Sequence, residues 1–235
     1  MDKNYEKEYI EFEKNNWWFI GRRDLISKIL KNNKNKKILE IGCGSGMNLK
    51  VIKNNIVLGL DNSEFLIKNK VIKNMILGDA NHLPLKPNSF DYILCLDIIE
   101  HIKDDVKIMK TIYGLLKTQG QLIISVPALN SLYGPHDKIN KHYRRYNKSL
   151  LYERLKKAGF KDIKISFWNS TLFIPAALFK ILKKYSKPKN ESDVVKIPHI
   201  INKLLFNILK IENMFIIKGI NLPIGISLFA IAKKR

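Results

Sequence analysis

A chain of 235 residues, 46% apolar and 27% charged, has a globular composition and enough length to bury one sizeable core. Its two cysteines supply no disulfide framework. The formal charge of +21 invites a nucleic-acid partner, but only six of the 42 basic residues are arginine, whose planar fork suits phosphate, so that reading is set aside.

Met1 to Glu6 has no apolar signal-peptide core, so the expected location is the cytoplasm. Residues 1–19 mix charges of both signs and close on Trp17-Trp18-Phe19. Gly21-Arg22-Arg23 then leads into a helical run over 24–30. This predicts an N-terminal helical cap. Its aromatics either pack on the sheet or cover a ligand, with Arg22 or Arg23 turned to a ligand carboxylate.

After a polar linker over 32–36, Ile38, Leu39 and Ile41 form the apolar run of a buried strand. Gly42, Gly44 and Gly46 make a loop that lets backbone approach a ligand, and a helix is expected over 47–52. The spacing is not that of a dinucleotide fingerprint, because Met47 stands at the third glycine position. Glu40, two residues before the first glycine, disfavours a pyrophosphate and suits a cation.

Three more strand-like runs end in acids: 56–60 at Asp61, 75–78 at Asp79 and 90–96 at Asp97. In an open α/β sheet ligands bind beyond the carboxyl ends of the strands. Glu40, Asp61, Asp79 and Asp97 would therefore line one crevice, which suits a ligand with positive charge and hydroxyls. Ser63 is the expected cap of the helix after the second strand. Pro84 and Pro87 keep 82–87 out of helix, and His82 is read as a surface residue.

Ile102, Val106, Met109, Tyr113 and Leu116 follow a helical stripe, Gly120 closes it, and 121–126 is the fifth strand. The long loop 127–146, with two histidines, Arg144 and Arg145, is expected to be an ordered lid over an acceptor. Asn147 should cap a helix that Gly159 ends. Ile163, Ile165 and Phe167 alternate as a sixth strand, and 227–232 reads as a seventh. Between them, 169–224 is strongly apolar. Its uncharged run 165–179 is too short to span a bilayer, but 172–189, apolar and then lysine-rich, is a candidate for peripheral membrane contact.

The segment Leu39-Glu40-Ile41-Gly42-Cys43-Gly44-Ser45-Gly46, with the acids that follow, resembles the class I S-adenosylmethionine (SAM) dependent methyltransferases over about residues 36–168. The resemblance implies a Rossmann-like, seven-stranded, mostly parallel α/β sheet with helices on both faces and an antiparallel last strand. It implies a single domain over 1–235: a core at 36–168 plus 226–235, with cap and lid elements at 1–30, 127–146 and 169–224. It further implies SAM as cofactor. The loop Gly42–Gly46, with Cys43 and Gly44, would lie against its methionine part and ribose. Asp61 would hold the ribose hydroxyls, Asp79 and Ala80 would sit beside the adenine, and Leu96 and Asp97 near the sulfonium. Glu40 and Asn62 are further candidate cofactor contacts. Arg22 would reach the SAM carboxylate.

His101, following the fourth strand, is the candidate general base. Asp97, Glu100 and His101 would share one helical face if a helix began at Asp97, and could then hold a divalent ion. The metal-free site is preferred. The Asp97-x-x-Glu100-His101 spacing resembles quinone-ring O-methyltransferases and some RNA 2′-O-methyltransferases, while Trp17-Trp18-Phe19 and the segment 142–146 resemble bacterial and archaeal methyltransferases of undefined substrate. The expected acceptor is a small or lipid-linked molecule, methylated on oxygen rather than nitrogen. An RNA methyltransferase and a non-catalytic SAM-binding module are the alternative readings.

Overall fold

The computed structural model describes residues 3–171, 173, 175 and 197–235. Seven strands form one sheet: β1 (Lys37–Ile41), β2 (Ile56–Asp61), β3 (Met75–Leu77), β4 (Phe90–Leu96), β5 (Leu116–Pro127), β6 (Lys161–Trp168) and β7 (Ser227–Lys233). Their order is β3-β2-β1-β4-β5-β7-β6. The first five are parallel, while β7 runs antiparallel between β5 and β6.

The central strands read as continuous apolar runs because both their faces are covered. Ile38, Leu39, Ile41, Ile93, Leu94 and Cys95 are fully buried. One face is covered by α5 (Asp105–Leu115) and α7 (Lys148–Lys157), the other by α2 (Trp17–Leu30), α3 (Met47–Lys50) and the long carboxyl-terminal helix α8 (His199–Ile217). Helices α1 (Lys3–Asn15), α4 (Glu64–Lys68) and α6 (Pro135–Ile139) are also among the described elements.

Local chemistry sets the boundaries. Ser63 Oγ accepts from Leu66 N and Asn147 Oδ1 from Leu150 N, as expected of the two caps. The N-terminal region is two helices rather than one, because the Asn16 side chain accepts from Trp18 N and starts α2 afresh. The helix after the glycine loop stops at Lys50, short of residue 52. Leu116 belongs to β5 and not to the preceding helix: it pairs with Phe90, and an irregularity between Phe90 and Tyr92 absorbs the offset. The segment 172–189, expected to touch a membrane, lies outside the described residues apart from residues 173 and 175.

Candidate active site

The order in which strands are added reverses between β1 and β4, and the acids expected to line a crevice stand at the carboxyl ends of these parallel strands and of β2. Glu40 is fully buried on β1, and one of its oxygens accepts from Asn48 Nδ2 at 2.6 Å. Its other oxygen is buried without a partner. Burial pushes the Glu40 carboxyl up to about 8, against the opposing hydrogen bond from Asn48.

Gly42 has φ +68°, and a Cβ there would overlap the Ile98 side chain, so only glycine fits. Cys43 is buried beside Gly59, and burial raises its thiol far above the usual range, so it packs as a small inert group. Asp61, at the end of β2, accepts from Gly44 N at 2.8 Å and Ser63 N at 2.9 Å, which ties the glycine loop to the next strand. Asn62 beside it is exposed and Leu96 is buried. Asp79 is about half exposed and accepts from the backbone and side chain of Asn81, with half-buried Ala80 alongside. His82 is exposed, as expected.

Asp97 closes β4 with φ +57°, a left-handed backbone rare outside glycine. One of its oxygens accepts from Arg22 Nη1 at 2.7 Å and from Ser125 Oγ at 3.1 Å. Arg22 thus reaches the crevice, as expected of it, but in this structure its partner is Asp97. Its guanidinium also lies over Trp18 and Phe19, and its Nε is buried without a partner.

The expected helical face of Asp97, Glu100 and His101 needs correction. No helix begins at Asp97: its left-handed backbone turns the chain into a short 3-10 turn, Ile99–His101, and α5 starts only at Asp105. Asp97 is held on Arg22, whereas Glu100, His101 and His142 bring their ligand atoms within 4.8 Å of one another. Burial, then the charge of Asp97, raises the Glu100 carboxyl well above the usual range. Burial, then His142, lowers the His101 imidazole. A carboxyl and two imidazoles form a donor set that divalent transition ions favour.

His142 carried no assignment from the sequence. Its Nδ1 lies 2.8 Å from Asp137 Oδ1, and Arg145 Nε donates to the same oxygen at 2.9 Å. Burial would raise Asp137, but these two partners hold its carboxyl well below the ordinary range. The His101 and His142 rings stand edge to face with centroids 4.6 Å apart. The loop over 127–146 is fastened to its neighbours: Arg144 donates to the carbonyls of Ile102 and Lys103, and Tyr146 donates to Asp105.

Glu13, from α1, also went unnoticed in the sequence. It is buried at the glycine loop, accepting from Ser45 N at 3.2 Å and Ser45 Oγ at 2.6 Å, and burial raises its carboxyl. No motif marks it, since in the sequence it is one acid of a charged helix. A cavity of about 610 Å³ opens elsewhere, between α7, β6 and the end of α8, and none of the sequence-predicted site residues lines it.

The crevice fits a cationic, hydroxylated ligand. It collects Glu40, Asp61 and Asp97 around a glycine cradle, and the second Glu40 oxygen is an acceptor still to be satisfied. Comparison with known proteins agrees. Residues 17–165 match the model of a methyltransferase domain. An uncharacterised protein of Methanocaldococcus jannaschii is 33% identical over 196 residues, covering 82% of each chain. A ubiquinone biosynthesis O-methyltransferase of Coxiella burnetii is 31% identical over 102 residues, 39% of this chain and 44% of that one. Phosphoethanolamine N-methyltransferase 2 of Haemonchus contortus, solved with phosphomonomethylethanolamine and S-adenosylhomocysteine, has the same fold. The TM-score is 0.59 at 21% identity, over 89% of this chain and 52% of that one. The chain spans about half the length of these last two proteins. Sheet order, strand-end crevice and a family match over most of the chain lead to one conclusion: the chain belongs to the methyltransferase-domain family and is a class I SAM-dependent methyltransferase.

Proposed function

We propose that the enzyme methylates an oxygen of a small or lipid-linked acceptor, with the His101–His142 pair receiving the acceptor proton. The observation that carries this reading is the Asp137–His142 contact at 2.8 Å. A carboxylate on Nδ1 fixes the ring so that Nε2 carries the lone pair. His101, lowered by burial and by His142, is neutral at pH 7 and is the more exposed of the two rings. An amine attacks with its own lone pair, whereas a hydroxyl must shed a proton as its bond to carbon forms. A neutral His101 imidazole beside the strand ends therefore suits oxygen. The partial likeness to a ubiquinone biosynthesis O-methyltransferase supports the same choice.

SAM would supply an electrophilic methyl group on a sulfonium. Around it the chain supplies Asp61 for the ribose hydroxyls, Asp79 and Ala80 for the adenine edge, and the Gly42–Gly46 loop for the methionine part. Arg22 offers a donor fork for the carboxylate, and its unpartnered Nε supports that role. The residues then act chiefly by holding nucleophile and methyl group in line.

The test uses SAM labelled in the methyl group and a cell extract separated into lipid, small-molecule and nucleic-acid fractions. Label should enter the lipid or small-molecule fraction. His101→Ala should cut turnover by ~10²–10⁴-fold with SAM affinity unchanged. Label confined to nuclease-sensitive material would overturn the acceptor assignment. Full activity in both His101→Ala and His142→Ala would overturn the base. Loss of activity on chelation, restored by zinc or magnesium, would replace the base by a metal at Glu100, His101 and His142.

A further inference from the structure

Helix α8 is amphipathic in the reverse sense. Asn202, Glu212 and Asn213 face the protein. Asn202 Oδ1 accepts from Trp17 N and its Nδ2 donates to Asn15 O, both at 2.8 Å. Glu212 accepts from the backbone N–H groups of Ser170 and Thr171. Asn213 accepts from Trp168 Nε1 and donates to Gly21 O and Asp24. The seat is close: a Cβ on Gly21 would stand 2.6 Å from Leu209 Cδ1.

The opposite face is open and, apart from exposed Asn207, apolar. Ile200 is 82% exposed, Leu204 59%, Ile211 52%, Met214 48% and Phe215 43%. At 100° per residue these five fall on one side of the helix. Exposed Lys203 and Lys210 border them, and Lys218 follows at the carboxyl end. Glu212, the helix's one acid, is buried on the other side. A contiguous apolar face of this kind marks an interaction site.

We infer that α8 docks the enzyme on an anionic membrane surface, its apolar face entering the interface and its lysines meeting lipid headgroups. The charge pattern selects this occupant. Lysines bordering an apolar face, in a chain of net charge +21, complement an anionic bilayer. A second copy of the chain would instead bring like-charged borders together. Among the described residues no helix is long and apolar enough to cross a membrane, so α8 lies on the surface. The amino end of α8 is bonded to the α1–α2 junction, and α1 and α2 carry Glu13 and Arg22 into the crevice. The docked face therefore adjoins the cap over the active site. The inference concerns placement of the enzyme and stands apart from the identity of the acceptor.

The experiment is co-sedimentation of the full chain, without SAM or acceptor, with vesicles of phosphatidylcholine alone and of phosphatidylcholine and phosphatidylglycerol in equal parts. Wild type should pellet with the phosphatidylglycerol vesicles and be released by salt. The triple variant Leu204→Glu/Ile211→Glu/Phe215→Glu should bind about tenfold or more weakly, while its melting temperature and SAM affinity stay those of wild type. Lys203→Glu/Lys210→Glu/Lys218→Glu, which leaves the apolar face alone, should lose the preference for phosphatidylglycerol. Wild type remaining in the supernatant would overturn the inference. So would binding by both variants equal to that of wild type, or a wild-type dimer in light scattering that the apolar variant converts to monomer.

Discussion

Replacing Glu40 by glutamine removes a buried titration without changing the shape of the side chain, and its effect follows from the site. In the folded protein Glu40 takes its proton at about 8, against the usual 4.5 when exposed. Between those values the folded chain binds more protons than the unfolded one. Stability contributed by this group therefore falls as pH rises, and the loss levels off above the folded value. At ~1.4 kcal/mol per pH unit the upper bound is on the order of 5 kcal/mol, and relaxation around the charge brings it to about 2–4 kcal/mol. Glu40→Gln keeps an acceptor for Asn48 and stays neutral throughout. Its melting temperature should match wild type near pH 5 and exceed it by roughly 5–10 °C near pH 9, at about 2–4 °C per kcal/mol for a chain of this size. Differential scanning fluorimetry across that range reads the difference directly. Saturating SAM should shrink it, because a sulfonium and an ammonium nearby favour the ionised carboxylate. A difference flat to within about 1 °C from pH 5 to 9 would refute the reasoning, since even 1 kcal/mol would show.

Asp61→Ala should weaken SAM binding at least about tenfold, because charge-assisted hydrogen bonds worth ~1.5–3 kcal/mol are lost, and titration calorimetry on the folded variant measures it. Arg22→Ala leaves Asp97 without its buried partner and should cost on the order of 3 kcal/mol, read as a lower urea midpoint with an unchanged slope. Restoring neutrality in Arg22→Ala/Asp97→Asn should recover part of that loss, and a double variant no better than the single one would show that the pair is not the cause.

The sheet was legible because its strands are short apolar runs ended by glycines and acids, and because parallel strands put those endings on one edge. Glu40, Asp61 and Asp97 could therefore be brought together from the sequence alone. Asp97, Glu100 and His101 show where that reasoning ends. Their spacing fits a helix, but a non-glycine residue with φ +57° at the strand end breaks the helical period, and sequence spacing carries no sign of it. His142 lies 41 positions after His101, and the two meet where Arg144, Arg145 and the Tyr143 backbone fasten the loop to the turn after β4 and to the end of β5. Arginines in a long loop suggested order, but not which histidine they deliver. Glu13 was hidden for the opposite reason: its helix is polar and charged, and nothing in its periodicity marks Glu13 as an acid that turns inward.

The cap and the crevice are one electrostatic unit. Glu13, Glu40 and Glu100 all have carboxyls raised first by burial, and in each the Arg22 charge acts in the opposite direction. Three buried acids without cations would be costly in low dielectric, and protonation relieves part of that cost. Arg22 relieves another part, and it arrives on α2, held there by stacking on Trp18 and Phe19 and by its bond to Asp97. A cationic ligand would do the same work from inside the crevice, turning neutral acids into charged partners. Binding of such a ligand and closure of the cap over the sheet therefore draw on the same carboxylates, and SAM affinity should depend on residues of α1 and α2 that no strand-end motif contains.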